Sequence, residues 1–520
     1  MSLIPIVGVP SNFRNPGFYA EILVAQGPSS ASSGIRTSAL VMPMLAGGSF
    51  TAGQVYQVRN EKDVEDGAGA GSWLHRGGRA WLAANKTGKL YVLPVAETTG
   101  GSPAKANLDA TIVGTATGSG SVFATICNVE SQAAFKTGDT ETVVAAALAA
   151  SINAKTWLPV VATAVAGALT ITAKAFGISS GDGTLPIIRV QVSITSGKGL
   201  TFLTENTLTN DFLGNGTSTP GAEGSTTEAT QLASALANVT ARLFYYMAFS
   251  IQTAASWDAI KTHVSTKSDP RPGLRCTYWV ASTGAQAALT TTVNADNYER
   301  GHVIWQKNGQ LPPADMAANV MAIVQKREEV DKAYNFDNYR GTDFNIPPAF
   351  DSADWLDDND INDALNDGIT PIQSYEGAAE IVMLVNTRSK DASGAVNDFR
   401  ATERHRISVS DWYANTMEVR HSGTYKGKKL ADDQRLADGS VNPNQRHRRG
   451  VITPSIYSLP IELLDEGYAL GYLKDIEDSL ASLERVIDPQ NGGRMEVGVN
   501  INAVNLFHQL TARIAETSSA

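Results

Sequence analysis

The chain has 520 residues, 42% of them hydrophobic and 18% charged, which is ample for two to four domains with proper cores. A formal net charge of -10 argues against a nucleic-acid binder, and no apolar run reaches the length of a membrane span. Residues 1–18 lack a basic start followed by an apolar core, so the expectation is no secretory signal and folding in a cytoplasm.

Charged residues are sparse while Gly, Ala, Ser and Thr are plentiful, which suggests a surface covered largely by other protein. The first segment, residues 4–21, carries Pro5, Pro10 and Pro16. Proline lacks an N–H and resists both helix and central strand, so this reads as an extended arm. Its apolar residues, Ile4, Ile6, Phe13 and Phe18, would hold it down. Short apolar strands follow at 37–45 and 89–95. Between them Gly67-Ala68-Gly69-Ala70-Gly71-Ser72 opens a helical pattern over 73–85. A Gly-rich turn before a helix can cradle phosphate. This run is GxGxG, not GxGxxG, and no acidic residue ends the next strand, so a loop needing conformational freedom is the better reading.

From 106 to about 216 the texture becomes Thr-, Ser-, Gly- and Val-rich. Alternating runs at 111–117, 121–129, 169–173 and 187–195 predict strands. One helix interrupts them, with Asp139 as its N-cap and Val143, Leu148 and Ile152 on its apolar face. A Gly/Ser/Thr-rich linker over 214–225 marks the exit of what reads as an inserted β-rich module. From 226 helix and strand alternate: helices at 230–241, 256–267 and 312–333, strands at 242–251, 274–281 and 301–306. Near-continuous apolar strands between helices imply a buried, largely parallel sheet. Such sheets host enzymes, yet there is no GxSxG, no Walker lysine motif and no HExxH, and the seven His are scattered. No enzyme activity, cofactor or metal is expected.

Residues 351–367 hold seven Asp and superficially match a calcium loop at Asp358, Asp360 and Asn362. Asp363 then stands where Gly is needed and Ile369 where Glu is needed, so a polar loop with a short acid-started helix is expected instead. A basic stretch, Lys426, Lys428, Lys429, Arg446, Arg448 and Arg449, follows Arg420 and is interleaved with Asp432 and Asp433. With no aromatic interleaving for nucleic acid, these charges fit an electrostatic seam between copies. Cys127 and Cys276 are the only cysteines and lack metal-ligand spacing. Two buried thiols are the default, and a disulfide within or between subunits is the sharper option. Finally, Pro489 and Asn491-Gly492-Gly493 break the preceding helix. Met495, Val497, Val499 and Ile501 then alternate with Glu496, Gly498, Asn500 and Asn502, a strand with one buried face. A terminal strand must pair with an earlier one or with another molecule.

Several stretches resemble one family. Residues 425–433, with Lys428-Lys429-Leu430-Ala431-Asp432-Asp433, resemble the KKLADD-type stretch of contractile phage tail sheath proteins of the Mu-like branch. Ile4-Pro5 through Asn12, Arg14 and Pro16 to Glu21 is similar to that family's N-terminal arm. Ile452-Thr453-Pro454 and residues 494–505 are similar to its last helix-and-strand unit, and Gly138-Asp139-Thr140 with Ile152-Asn153-Ala154 to its β-rich insertion. The resemblance implies a multidomain α/β (α+β) subunit. Residues 1–24 would be an extended arm, 25–105 the first part of a core domain with a mixed sheet, and 106–220 an inserted outer β-rich domain. Residues 221–370 would be an α/β domain, 371–490 the C-terminal part of the core, and 491–520 a strand arm. It further implies a sheath that polymerises as a helical stack of rings around an inner tail tube, meets baseplate and tail terminator proteins, and contracts to drive the tube through a host envelope. Assembly would occur in the host cytoplasm and the product would sit in a virion, with no nucleic acid bound and no membrane insertion. The sheath of a tailocin or an injection-type machine fits equally, and a secreted surface adhesin fits less well.

Overall fold

A computed structural model describes residues 36–176, 188–202, 212–214, 217–219, 221–239, 244–250, 253–269, 275–391, 393–395, 402–444 and 450–508. The expected N-terminal arm, including Ile4, Ile6, Phe13 and Phe18, lies outside them. So do Arg446, Arg448 and Arg449 and everything after His508.

The chain begins with β1 (Ser38–Pro43), β2 (Tyr56–Val58), α1 (Glu61–Ala68), α2 (Trp73–Ala84) and β3 (Leu90–Val95). After a long excursion it continues with α4 (Glu228–Ala237), β13 (Tyr246–Phe249), α5 (Ala254–Ser268), β14 (Thr277–Ser282), α6 (Gln286–Asp296), β15 (Gly301–Trp305) and α7 (Pro313–Glu328). Next come α8 (Asp358–Asn366), β16 (Thr370–Tyr375) and β17 (Ala378–Ile381). Their strands form one sheet in the order β17-β16-β15-β14-β13-β1-β3-β2. Every pairing from β16 to β3 is parallel, and β2 and β17 close the edges antiparallel. Strands β1, β14 and β15 are buried along their whole length, as the unbroken apolar runs require of a sheet covered on both faces.

Period two decides which cover each residue meets. Leu40 and Met42 face α2 and α7, while Ala39 and Val41 face α4, α5 and α6. Helix α7 starts with Pro313 in its first turn, where a missing N–H costs nothing. It stops at Glu328, short of the expected 333, and residues Pro313 through Gln325 are all buried.

The excursion between β3 and β13 holds β4 (Asn107–Gly114), β5 (Gly120–Ile126), β6 (Val129–Phe135), α3 (Glu141–Asn153), β7 (Val160–Val165), β8 (Ala168–Ala173), β9 (Ile188–Ile194), β10 (Leu200–Phe202), β11 (Phe212–Gly214) and β12 (Thr217–Thr219). They make two sheets, β10-β4-β8-β7 with β12 on β4, and β11-β9-β5-β6. Two antiparallel bridges, Thr99 with Thr226 and Ala104 with Ala222, tie the outgoing and returning chain together. The apolar cluster of these sheets runs without a break into the α2–α7 side of the main sheet.

Helix α3 departs from expectation at two points. Thr140 is its N-cap, and Asp139 instead accepts the Lys136 N–H at 2.8 Å. Leu148 and Ile152 are buried as expected, but Val143 is 54% exposed and Val144 takes its place on the buried face. Strand β7 is an edge. There the Asn153 amide donates to the Ala162 carbonyl (2.7 Å) and accepts the Ala162 N–H (2.9 Å), occupying both groups as a neighbouring strand would.

The last part contains α9 (Arg404–Thr424), β18 (Lys429–Leu430), β19 (Val451–Ile452), α10 (Leu459–Ala469), β20 (Leu473–Lys474), α11 (Ile476–Ala481), β21 (Glu484–Ile487), β22 (Met495–Gly498) and β23 (Asn502–Ala503). Val409, Trp412, Leu463, Leu464, Tyr472, Leu473 and Ile501 form a separate core there. Trp412 and Tyr472 meet edge to face with centroids 4.5 Å apart, a favoured aromatic geometry.

Candidate interaction surface

The expected terminal strand is built differently from the sequence reading. The segment before the Asn491-Gly492-Gly493 turn is strand β21, not a helix, and β21 and β22 form an antiparallel hairpin, Glu484 opposite Gly498 and Ile487 opposite Met495. Residues 499–501 then break the run, and β23 pairs with β20 instead. Met495, Val497 and Val499 pack half-buried on the C-terminal core and Ile501 is buried, so these four side chains are held by their own chain. Glu496, expected on the polar face, is only 3% exposed because Arg494 covers it at 3.1 Å. Among the described residues no third strand joins the hairpin on either side. Both outer edges therefore carry backbone groups able to accept another strand.

The charged stretches resolve into local roles. Lys426, Lys428 and Lys429 are exposed, as is Asp432, whereas Asp433 braces its loop by accepting the Ser455 N–H at 3.2 Å. Arg420 pairs with Glu466 of α10. In the acidic run, Asp357 and Asp360 form a capping box on α8, satisfying N–H groups that a helix start leaves orphaned. Asp351 caps a short turn by accepting the Ala353 N–H, Asp354 accepts the Asn308 amide at 2.7 Å, and Asp367 accepts the Thr290 hydroxyl at 2.8 Å. Five of the seven aspartates thus serve separate local caps and contacts, although the run reads as one feature in sequence.

The Gly-rich loop is consumed by packing. Gly71 sits at φ +83°, and a Cβ there would run into the Leu158 carbonyl. Its N–H goes to His75 Nδ1 at 3.0 Å, and Lys174 donates to the Ala70 carbonyl at 3.0 Å. Ser72 caps α2 by accepting the His75 N–H. Burial holds His75 neutral, with its pKa lowered to about 4. Glu97, after β3, accepts the N–H groups of Ala46 and Phe176, both at 3.1 Å, and so ties the ends of β1 and β3 to the returning excursion.

A buried ionic frame escaped sequence reasoning. Glu328, at the end of α7, accepts from Arg404 (2.9 and 3.0 Å), from Arg36 (3.2 Å) and from the Tyr246 hydroxyl (2.6 Å). Asp411 of α9 accepts two bonds from Arg300 (2.9 and 2.8 Å) and one from the Tyr245 hydroxyl (2.5 Å). His302 stacks on Trp279 and lies between Val385 O and Arg404. Burial first, and Arg404 beside it, keep the His302 ring neutral, so Nδ1 donates to the carbonyl and Nε2 accepts from the guanidinium. Burial opposes charge on Glu328 and Asp411, but the arginines outweigh it and hold both below the usual carboxylate range. The frame fastens α9 to the main sheet. Its signal in sequence was weak: Asp411 stands alone in an otherwise uncharged stretch, but Glu328 is hidden in the charged run Lys326-Arg327-Glu328-Glu329.

Over 500 residues the chain is 24% identical to the Mu-like prophage FluMu tail sheath protein of Haemophilus influenzae, covering 96% of each. The chain is thus similar to a Mu-like tail sheath protein over nearly its whole length. No family model matches it. Among solved structures, the sheath tail protein of Desulfitobacterium hafniense is 15% identical with a TM-score of 0.45, covering 96% of this chain and 100% of that one. The contracted sheath complex of an extracellular contractile injection system, PVC, is 11% identical with a TM-score of 0.46, covering 98% and 99%.

The two cysteines are free and buried, and burial pushes both thiols up to about 11. Cys127 lies on the β5–β6 turn against Arg76, and Cys276 precedes β14. Among the described residues no helix is long and apolar enough to cross a membrane, and no group of three or more His, Cys, Asp or Glu could hold a metal.

Proposed function

We propose that this chain is the structural subunit of a contractile tail sheath, and the observation that carries the reading is its end-to-end similarity to a tail sheath protein. Copies polymerise into a helical stack of rings around an inner tube, bounded by a baseplate and a tail terminator, and the assembled particle is part of a virion. The subunit does no catalysis.

Residues 1–24 act as an arm that adds a strand to another copy, and the open edges of the β21–β22 hairpin are the acceptors. Because each contact joins unlike surfaces, the array need not close and grows as a helix. The module over residues 106–220 faces outward, residues 25–105 and 371–490 form the body nearest the mesh, and residues 221–370 complete the central sheet. The exposed Lys426, Lys428, Lys429 and Asp432 contribute charge at the seam between copies. Contraction keeps arms paired while bodies rotate and gain interface, so the work comes from packing.

Deleting residues 1–20 tests this reading. The expected outcome is a soluble, folded subunit that forms no tubes by negative-stain microscopy. Deletion of residues 509–520 is the companion variant, placed beyond His508 because β22 and β23 belong to the body. Normal long tubes from both would overturn the arm assignment.

A further inference from the structure

Residues 504–508 lie across the start of α9 and the loop that follows α7. Backbone contacts hold their first residue: the Val504 N–H donates to the Tyr472 carbonyl at 3.0 Å, and His405 Nε2 donates to the Val504 carbonyl at 3.0 Å. Arg406 donates to the Asn505 side chain at 3.2 Å. The segment ends at His508, whose ring lies between two carboxylates. Nδ1 is 2.5 Å from Asp337 Oδ2, and Nε2 is 2.5 Å from Glu403 Oε1. A neutral imidazole donates from one nitrogen only, so one lone pair would then face a carboxylate at hydrogen-bond distance. Only the doubly protonated ring satisfies both contacts.

We propose that His508 is a proton-dependent clasp that ties residues 504–508 to the body by bridging Asp337, after α7, to Glu403, at the start of α9. The neighbouring charges are disposed to favour it. Glu403 is 2% exposed and also takes Arg406 at 2.9 Å, so it carries negative charge in a poorly hydrated place. Arg404 turns away to Glu328. His405, 3.6 Å from Glu403, is buried and neutral, its pKa lowered to about 4, and leaves His508 as the cation of the pair. Tyr334 lines the same small hollow. Burial opposes the charged form of His508, but the bonds to Glu403 and Asp337 outweigh it and raise its pKa. A raised folded-state pKa means the clasp is fully closed below the ordinary histidine value and is lost as pH climbs through the raised one. The clasp stands whether or not the residues beyond it pair with another copy, so it is independent of the assembly reading.

The test is hydrogen exchange on the full-length soluble subunit between pH 5.5 and 8.5, with rates corrected for intrinsic chemistry and the Val504 amide as reporter. In the parent chain, protection of Val504 falls as pH rises. In His508→Gln it is lower by on the order of ten-fold at pH 6 and no longer steps with pH, as expected for loss of a charge-assisted bond. Asp337→Asn, at a partly exposed site, moves the step to lower pH. Unchanged near-ultraviolet dichroism shows that both variants fold. A step that survives in His508→Gln, or equal protection of parent and variant at pH 6, overturns the clasp.

Discussion

Neutralising Glu328 tests whether the buried frame is a net fastener. Glu328→Gln preserves shape and removes one charge, leaving Arg404 (1% exposed) and Arg36 (6% exposed) facing an amide. Glu328 accepts four hydrogen bonds, three of them from guanidinium groups. An amide oxygen accepts some of these, while its NH2 confronts donors it cannot satisfy. Breaking one side of a buried pair costs about 3–5 kcal/mol, a large share of the roughly 5–15 kcal/mol that holds a domain folded. The comparison is Lys62→Ala, which removes the exposed Lys62–Glu65 and Lys62–Asp66 pairs of α1; solvent and salt screen such pairs, so the shift expected there is small. Urea unfolding followed by tryptophan fluorescence reads both, since Trp279 packs beside the frame. The depressed Glu328 pKa adds a second signature. Stability from the ionised group is present above the ordinary carboxylate range and is lost as pH falls through the depressed value, so parent and Glu328→Gln converge in acid. A midpoint shift no larger than that of Lys62→Ala at pH 7 would refute the reasoning, because desolvation would then have cancelled the attraction.

Two more outcomes follow from single side chains. Asn153→Ala frees both backbone groups of Ala162 on the β7 edge. The expected loss is roughly 2 kcal/mol at about 1 kcal/mol per bond, with faster exchange at Ala162 and greater self-association by light scattering. Cys127 and Cys276 react with a disulfide-exchange reagent only after denaturation, since burial keeps both as thiols; rapid native labelling at pH 8 would contradict their placement.

The central sheet was legible because its strands are unbroken apolar runs, and a parallel sheet buried on both faces needs that pattern. Phase was harder. Val143 and Val144 are equally apolar, and the packing of α3 against β6 and β7, which no local window contains, decides which one is buried. The terminal strand failed for a related reason. Alternation over 495–502 describes a strand but not its partners, and two partners, β21 and β20, divide it at Val499–Ile501. Asp351 through Asp367 read correctly as a polar loop with an acid-started helix, because the glycine and glutamate that a calcium loop needs are missing even though caps and calcium ligands draw on the same residues. The frame around Glu328 and Asp411 joins residues tens to hundreds of positions apart, so no spacing announces it.

Helix α7 is buried on every side from Pro313 to Gln325, and each end is anchored by a buried ion pair: Asp315 to Arg76 of α2 near its start, and Glu328 to Arg404 of α9 at its finish. Sixteen residues at about 1.5 Å each make a spar of roughly 24 Å. A push delivered to α2 therefore travels along the spar and arrives at α9 with little lost to flexure. Whatever turning this body undergoes, those two stations turn together, and bending is left to the slender connections outside them.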